Sequence, residues 1–477
     1  MRGAIALIVA ACAIAGGVLL ITSGHARREP RPAVTSAHIR ALTACATEPN
    51  CTVRVGAPTP SGVTCTRKLN AGADVGSALS SASPGAVVCL NSGSWSALTL
   101  TGVAPASPGV TLAATPGQTV VVPRIAIEGS NTRNLAIEGF NITQPSATGG
   151  GIALLCGSTG GITFEHLTIE NQPKNDAIFI DPHDCSDTAV ATGVTIRLDQ
   201  IDHVGEGLEV VGGSAENSDL TISHNVIGPE IGYRDTNEAT DAQHYIEIGG
   251  VNGATIDNNA FEGPMDPGFE TAAGGNGQPP GLHNNVLHVD GGQSNVTFNN
   301  NIMWHTESRA QTLLFQDTPM NNITVENNLD VEAPNCLTDA GCNTDPIEIY
   351  GPHGLSVEHN TIVNGYYGTE WGPTGEGYSD PQNMTAEYNI SAPSASQGNY
   401  SIWNCTASCT TQDNVSGDTS AKTVLGGTGN VINWTPTWTT TTWTPVSGPG
   451  YTPPPTGYYQ PTGLAVSGAG YQGQIGP

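Results

Sequence analysis

Lysine is almost missing from this chain: Lys68, Lys174 and Lys422 are the only three in 477 residues. Together with arginine they make 15 cations against 42 carboxylates, for a net charge of −27. That excludes nucleic acid as a partner, because phosphate binding needs a basic stripe. A neutral glycan, or a surface that works through calcium, fits the charge better. Aromatic residues are 5% and charged residues 12% of the chain. Such a composition suits a solenoid with a narrow stack of small aliphatics, not one large globular core. Sustained helical periodicity is absent beyond the N-terminus, so helix pairs with their own core are excluded. There is no C-x-x-C pair to suggest zinc, and no Gly-x-Ser-x-Gly elbow, phosphate-binding loop or dinucleotide fingerprint.

What the chain has is a repeat. The segments GITFEHLTI (161–169), DLTISHNVI (219–227), GATIDNNAF (253–261), NVTFNNNIM (295–303), NITVENNLD (322–330) and GLSVEHNTI (354–362) share one pattern, x-Thr-apolar-x-x-Asn-x-apolar or a near variant. The apolar anchors Ile137, Phe164, Ile196, Ile222, Ile256, Phe298, Val325, Val357 and Ala386 lie 26 to 42 residues apart. A period of that size means stacked supersecondary units. Short alternating stretches within each unit read as strands. Asparagine tolerates the left-handed backbone of a sharp corner. Asn225, Asn259, Asn301, Asn328, Asn360 and Asn389 therefore read as one corner repeated coil upon coil, roughly 4.8 Å apart and able to hydrogen-bond along the stack. The sequons at Asn141, Asn295, Asn322 and Asn383 read as by-products of the repeat.

This T-[IVF]-x-x-N rhythm, with loops of unequal length on one side, resembles the right-handed parallel β-helix of the pectin-lyase-like superfamily, over roughly 85–420. The resemblance implies an all-β solenoid with an N-terminal cap. It leaves the activity open, since that fold carries lyases, hydrolases, epimerases and adhesive proteins.

The expected organisation follows. Residues 1–26 are a secretory signal or, if uncleaved, a membrane anchor, with Arg27 and Arg28 directly behind. Residues 27–64 are a Pro/Ala/Thr-rich linker, 65–108 the cap, 109–420 the coils and 421–477 a tail rich in Thr, Trp, Pro and Gly. The tail either covers the coils or adheres to wall glycan through its Trp and Tyr residues. Without Cys12 there are ten cysteines, an even number that suits a secreted chain. Neighbour spacing suggests Cys45–Cys51, Cys65–Cys89, Cys156–Cys185, Cys336–Cys342 and Cys405–Cys409, although sequence does not prove connectivity. The chain is expected to be secreted and monomeric, with a polysaccharide or cell-wall glycan as partner.

A second strand in each unit aligns as AIFID (177–181), GLEVV (207–211), YIEIG (245–249), VLHVD (286–290), TLLFQ (312–316) and PIEIY (346–350). Alternation sorts Ile178, Leu208, Ile246, Leu287, Leu313 and Ile347 inward. It sends Phe179, Glu209, Glu247, His288, Leu314 and Glu348 outward in one column, and Asp181, Val211, Gly249, Asp290, Gln316 and Tyr350 in the next. Loops 228–243, 262–283 and 366–381 would wall the resulting groove. Carboxylates stacked about 5 Å apart repel by about 3 kcal/mol at an effective dielectric near 20. A Glu209/Glu247 pair therefore shares a proton or holds a cation or a sugar. Glu247 and Asp290, diagonally offset by about 8 Å, fall in the window of an inverting glycosidase. They are the first choice of acid/base pair.

Asp181-Pro182-His183-Asp184 is similar to the DPHD/DPHE motif of mannuronan C5-epimerases. That likeness implies proton-transfer roles for Asp181, His183 and Asp184, but the basic residue such a site needs is not evident among Lys174, Arg197, Arg234 and Arg309. The stretch from His288 through Asp290 to Gln293, with His305 and Arg309 beyond, resembles the H-x-D-x-x-Q strand of many secreted bacterial β-helix proteins. The leading expectation is a secreted glycoside hydrolase with catalytic Glu247, Asp290, His288, Asp181 and His183. Glu209, Gln316, Arg309, Glu348 and Tyr350 would bind substrate. Hydrolysis ranks ahead of β-elimination because a lyase on an anionic glycan needs cationic neutralisers. Ca2+ would supply them, and it is the one cofactor the carboxylates suggest. The alternatives are a calcium-dependent polysaccharide lyase or uronan C5-epimerase, and a non-catalytic glycan binder.

Overall fold

The computed structural model describes most of residues 56–472; 1–55 and 473–477 lie outside it, as do 144–149, 230–243, 264–284, 307–310, 333–344, 372–381, 393–406, 418–428, 444–453 and some shorter stretches. The N-terminal segment, and so its reading as signal or anchor, falls outside the described residues. No helix among those described is long and apolar enough to cross a membrane.

The chain winds as a right-handed parallel β-helix with three sheets of 14, 11 and 10 strands, in which the pairings between named strands are parallel. The anchors stack in register in the first sheet. Phe164 pairs with Ile137 and Ile196, and the column continues through Ile222, Ile256, Phe298, Val325 and Val357 to Ala386. A coil holds three strands, not two. A short strand such as Ala260–Glu262 or Ile302–Trp304 lies between the asparagine and the strand of the third sheet. One continuous apolar core runs through the stack. At the N-terminal end the helix Val75–Ser80, capped by Asp74 on the Ser77 N–H at 2.9 Å, adds Val75, Ala78 and Leu79 to it. Disulfides Cys65–Cys89 and Cys156–Cys185 close within this framework. The other three suggested pairs lie outside the described residues.

The asparagines form a buried ladder. Asn225 donates from Nδ2 to Asn259 Oδ1 at 3.0 Å, and Asn259 does the same to Asn301 at 3.0 Å, Asn301 to Asn328 at 3.2 Å and Asn328 to Asn360 at 2.9 Å. It continues through Asn389 and Asn414 to Asn430. The second Nδ2 hydrogen goes to an anchor carbonyl, as from Asn301 to Ile256 at 3.0 Å. Each Oδ1 also takes a backbone N–H from the preceding rung, as Asn301 does from Asn259 at 2.9 Å. Both ends of the amide are thus saturated in a dry core, where an unpaired polar group costs about 1–3 kcal/mol.

These asparagines are not the left-handed residues. The residue just before each takes that role: His224, Asn258, Asn300, Asn327, His359 and Tyr388, all with φ between 54° and 59°. The reason is directional, because the ladder side chain must point inward along the stack while its neighbour makes the bend. A second left-handed corner opens the first-sheet strands at Asn134, Asp219, Asn295, Asn322 and Asn383, with Gly161, Gly193, Gly253 and Gly354 in the same place. Gly, Asn and Asp are the residues that accept this backbone readily.

Both terminal segments run over the outer face of the second sheet. Gly56 N–H donates to Leu198 O at 2.7 Å and Ala57 N–H to Thr168 Oγ1 at 3.1 Å. From the other end, Tyr471 N–H donates to Thr361 Oγ1 at 3.0 Å. Tyr458 and Tyr471, with Trp438 and Trp443, pack on Ile302, Leu329, Val331 and Val363. These tail aromatics therefore serve packing.

Asp199 occupies one rung. It is fully enclosed, accepts the Leu167 N–H on Oδ1 at 2.7 Å, and gives its own N–H to Asn225 Oδ1 at 2.9 Å. Its Oδ2 has no hydrogen-bond partner among the described residues and takes the place that Nδ2 fills elsewhere. Burial pushes its carboxyl well above the usual range. A raised folded pKa means the stabilising protonated form is complete below the unfolded value near 4 and is lost as pH rises. Asp199→Asn is expected to raise the melting temperature, by more at alkaline pH than near pH 4; equal or opposite changes would show that Asp199 is not a proton-holding rung. Asn301→Ala is expected to cost about 2–4 kcal/mol, seen as a fall in the urea midpoint, and no fall would mean the ladder is dispensable.

Candidate functional site

The third sheet carries the polar surface. Ile178, Leu208, Ile246, Leu287, Leu313 and Ile347 pair in one inward column, and Phe179, Glu209, Glu247, His288, Leu314 and Glu348 pair in the next. Asp290 pairs with Gly249 and Gln316. Alternation alone sorts these side chains correctly, since every second residue must enter the apolar stack. The expected groove is less open than the pattern suggests. His288, Leu314 and Glu348 are nearly enclosed, while the Glu247 side chain keeps 29% exposure.

A further polar column lies two residues before the inward anchors, at Asp176, Glu206, His244 and Asn285. Asp176 pairs with Glu206. Glu206, His244 and Asn285 are buried. The sequence does carry the signal, as a polar residue at a constant offset from Ile178, Leu208, Ile246 and Leu287. It is easily missed, because alternation assigns that position to the apolar interior and only the corner geometry makes it polar.

The two columns meet in two groups. Asp176, Glu206 and Glu209 bring carboxylate oxygens within 4.8 Å of one another, and His244, Glu247 and His288 do the same with two ring nitrogens and a carboxylate. Glu247 stands 3.8 Å from both His244 Nε2 and His288 Nδ1. His288 Nδ1 lies 3.2 Å from His244 Nε2, and Gln316 Nε2 lies 2.7 Å from His288 Nε2.

Crowding of carboxylates away from water shapes the electrostatics. Burial first, then the nearby Glu247 charge, lifts Asp176 to about 7. Burial, then Asp176, Glu247 and Asp181, lifts Glu209 to about 8. Glu206 is pushed well above the carboxylate range, chiefly by burial, and shares a hydrogen bond with Glu247. Glu247 is raised by burial and by Asp290, with the Glu206 hydrogen bond opposing. Glu206 therefore keeps the proton and Glu247 accepts it. Glu206 Oε1 is enclosed with no hydrogen-bond partner among the described residues.

The remaining expected residues fall elsewhere. Asp181 caps the short 3₁₀ turn Pro182–Cys185, its Oδ1 accepting the His183 N–H at 3.0 Å, and it reaches the cluster only through its charge on Glu209. His183 is buried, with Nε2 3.1 Å from the Ala215 carbonyl. A Cβ on Gly213 would strike its ring. The DPHD turn is thus built as a rigid corner next to the Cys156–Cys185 bridge. Asp290 lies beside Glu247 in the neighbouring column and acts on it electrostatically. Arg309 and Tyr350, and most of the three long loops, lie outside the described residues.

Comparison with known proteins bears on the fold. No family model matches the chain, and no curated protein matches it in sequence. Solved structures do. A family 6 alginate lyase, AlyGC, shares the fold with a TM-score of 0.52 at 16% identity over 86% of this chain and 57% of its own. A mannuronic-acid-specific family 6 lyase from human gut microbiota gives 0.49 at 16% over 77% and 83%. The mannuronan C-5 epimerase AlgE6 A-module of Azotobacter vinelandii gives 0.39 at 13% over 73% and 91%. The shared feature is the architecture, a parallel β-helix.

Proposed function

We propose that this protein is an extracellular enzyme acting on a uronate-containing polysaccharide by β-elimination or C5 epimerisation. The observation that carries this reading is the Asp176/Glu206/Glu209 group beside Glu247 on one face of the helix, with Glu206 buried and Asp176 and Glu209 half-buried. The expectation of a hydrolase rested on Glu247 and Asp290 acting across a water. Glu247 is instead engaged by Glu206, His244 and His288, which leaves it as one member of a compact cluster. The alginate lyase of the same fold is in keeping with this choice. Two disulfides among the described residues suit an oxidising, extracellular setting.

A divalent cation fits the acidic group. Its donors are all carboxylate oxygens, the set that calcium prefers, and Glu206 offers an enclosed oxygen without a hydrogen-bond partner among the described residues. Asp176, Glu206 and Glu209 would hold the ion. A bound cation there would neutralise a uronate carboxylate and so make the C5 hydrogen more acidic. The chain's own residues do the rest. Glu247, whose side chain keeps 29% exposure, is placed to take a proton from substrate. Glu206 fixes its carboxylate through their shared hydrogen bond. Elimination breaks the C5–H and C4–O4 bonds, forms a C4=C5 double bond and leaves the departing O4 to take up a proton, whereas epimerisation breaks only C5–H and delivers a proton to C5 on the opposite face.

Calcium chloride at about a hundredfold excess over its dissociation constant is expected to stabilise the fold by about 2.7 kcal/mol, read as a rise in melting temperature, and Glu206→Gln is expected to remove most of it. If calcium, magnesium and manganese all leave the wild-type melt unchanged, the cation is wrong. With a panel of uronans, products short of one water or with inverted C5 are expected by mass and proton NMR. Glu247→Gln should be at least about a hundredfold slower. Fragments carrying an added water would restore the hydrolase.

A further inference from the structure

The histidines beside Glu247 have the spacing of a metal site. In a tetrahedral zinc centre, ligand atoms held about 2.0–2.3 Å from the ion lie roughly 3.3–3.8 Å from one another. His244 Nε2, His288 Nδ1 and the Glu247 oxygens, separated by 3.2 Å and 3.8 Å, match that figure. Distance therefore does not decide between a metal and a hydrogen bond. The other face of His244 does. The backbone N–H of Asn285 points at His244 Nδ1 at 3.1 Å. An amide N–H can only donate, so Nδ1 carries a lone pair and the ring proton sits on Nε2. A metal at Nε2 would force the proton onto Nδ1 and set two donors face to face.

The rest of the chain of contacts then has one consistent polarity. His244 Nε2–H donates to His288 Nδ1, and the rings are tilted by 56° with centroids 4.6 Å apart. His288 then carries its proton on Nε2, which lies 2.7 Å from Gln316 Nε2, nitrogen against nitrogen. Only an oxygen can accept that proton, so the carboxamide belongs turned over, with Oε1 and not Nε2 toward His288. Its two N–H bonds are released for the half-buried surface where Gln316 lies, one position along from Asp290.

We propose that His244 and His288 are positioning residues that orient Gln316 as an N–H donor for the substrate's carboxylate. This inference rests on the reading of the substrate as a uronan. It accounts for how a chain with three lysines presents a donor to an anion in acidic surroundings. Backbone N–H of Asn285 sets the direction, two imidazoles carry it outward, and a neutral amide delivers it. A neutral donor suits the place, because it binds an anion without forming a buried ion pair with Glu247 or Asp290.

The tautomers can be read directly. Imidazole nitrogen-15 correlation spectra of the labelled full chain, taken at about pH 8 where ordinary histidine is neutral, should show the proton on Nε2 of both His244 and His288. His244→Leu should release His288 into a tautomer mixture. A proton on His244 Nδ1, or displacement of both ring signals by one equivalent of zinc chloride, would overturn the relay. Gln316→Glu tests the destination, since a carboxylate still accepts from His288 but presents oxygen where the amide presents N–H. Calorimetric affinity for a short oligouronate should fall about tenfold or more, with the melting temperature held. Unchanged affinity would overturn the proposed role of Gln316. Both readouts work without turnover, so a wild type that binds oligouronate but never cleaves or epimerises it would reject the proposed reaction and leave the relay standing.

Discussion

The register of the coils is the constraint on which everything else depends, and the asparagine ladder is what enforces it. Each rung must meet the next in both directions, through an amide and a backbone N–H, and it also ties down an anchor carbonyl. A slip of one residue on any coil would leave several enclosed donors without acceptors and would turn the apolar anchors outward. Hydrophobic burial supplies the driving force but is indifferent to which Ile faces which Val. The ladder is not indifferent, and it lets coils of very different loop length share one geometry.

Stacking in register has a chemical consequence on the third sheet. Side chains that would be far apart in a globular enzyme become neighbours at the spacing of strands. Asp176 over Glu206, and Glu209 over Glu247, are arrangements that repulsion would forbid in a surface loop. Here the rigid backbone imposes them, and burial first, with the neighbouring carboxylate charges added, lifts Asp176 to about 7 and Glu209 to about 8. The same stacking brings His244 and His288 from adjacent coils into one hydrogen-bonded line. Asp199 shows the behaviour without function: an acid in an amide's place keeps its proton because its neighbours supply only acceptors where an amide would donate.

Much of this was legible in the chain. The Thr-apolar-x-x-Asn rhythm marks the first sheet and the ladder, and strict alternation in GLEVV and YIEIG sorts Glu209 and Glu247 to the outside. What alternation could not reveal was the corner before those strands. Glu206 and His244 sit where a period of two predicts an apolar residue, and their role emerges only when the second sheet's short strand is seen to turn the chain there. Likewise DPHD has the right letters for proton transfer, yet Gly213 and the Ala215 carbonyl close around His183 and make the turn a structural corner. The tail's Trp and Tyr residues read as covering the coils, with glycan adhesion as the alternative, and Val331 and Val363 lie beneath them.

The sequence by itself determined the repeat, the parallel stack, the acidic character and which residues of each third-sheet strand face out. It could do so because those properties depend on local periodicity and on composition. Tertiary structure alone decided which outward residues share a cluster, which acids must keep protons and which histidine nitrogen bears hydrogen. Those depend on contacts between coils 26 to 42 residues apart, and on a single backbone N–H at Asn285 whose direction no side-chain pattern records.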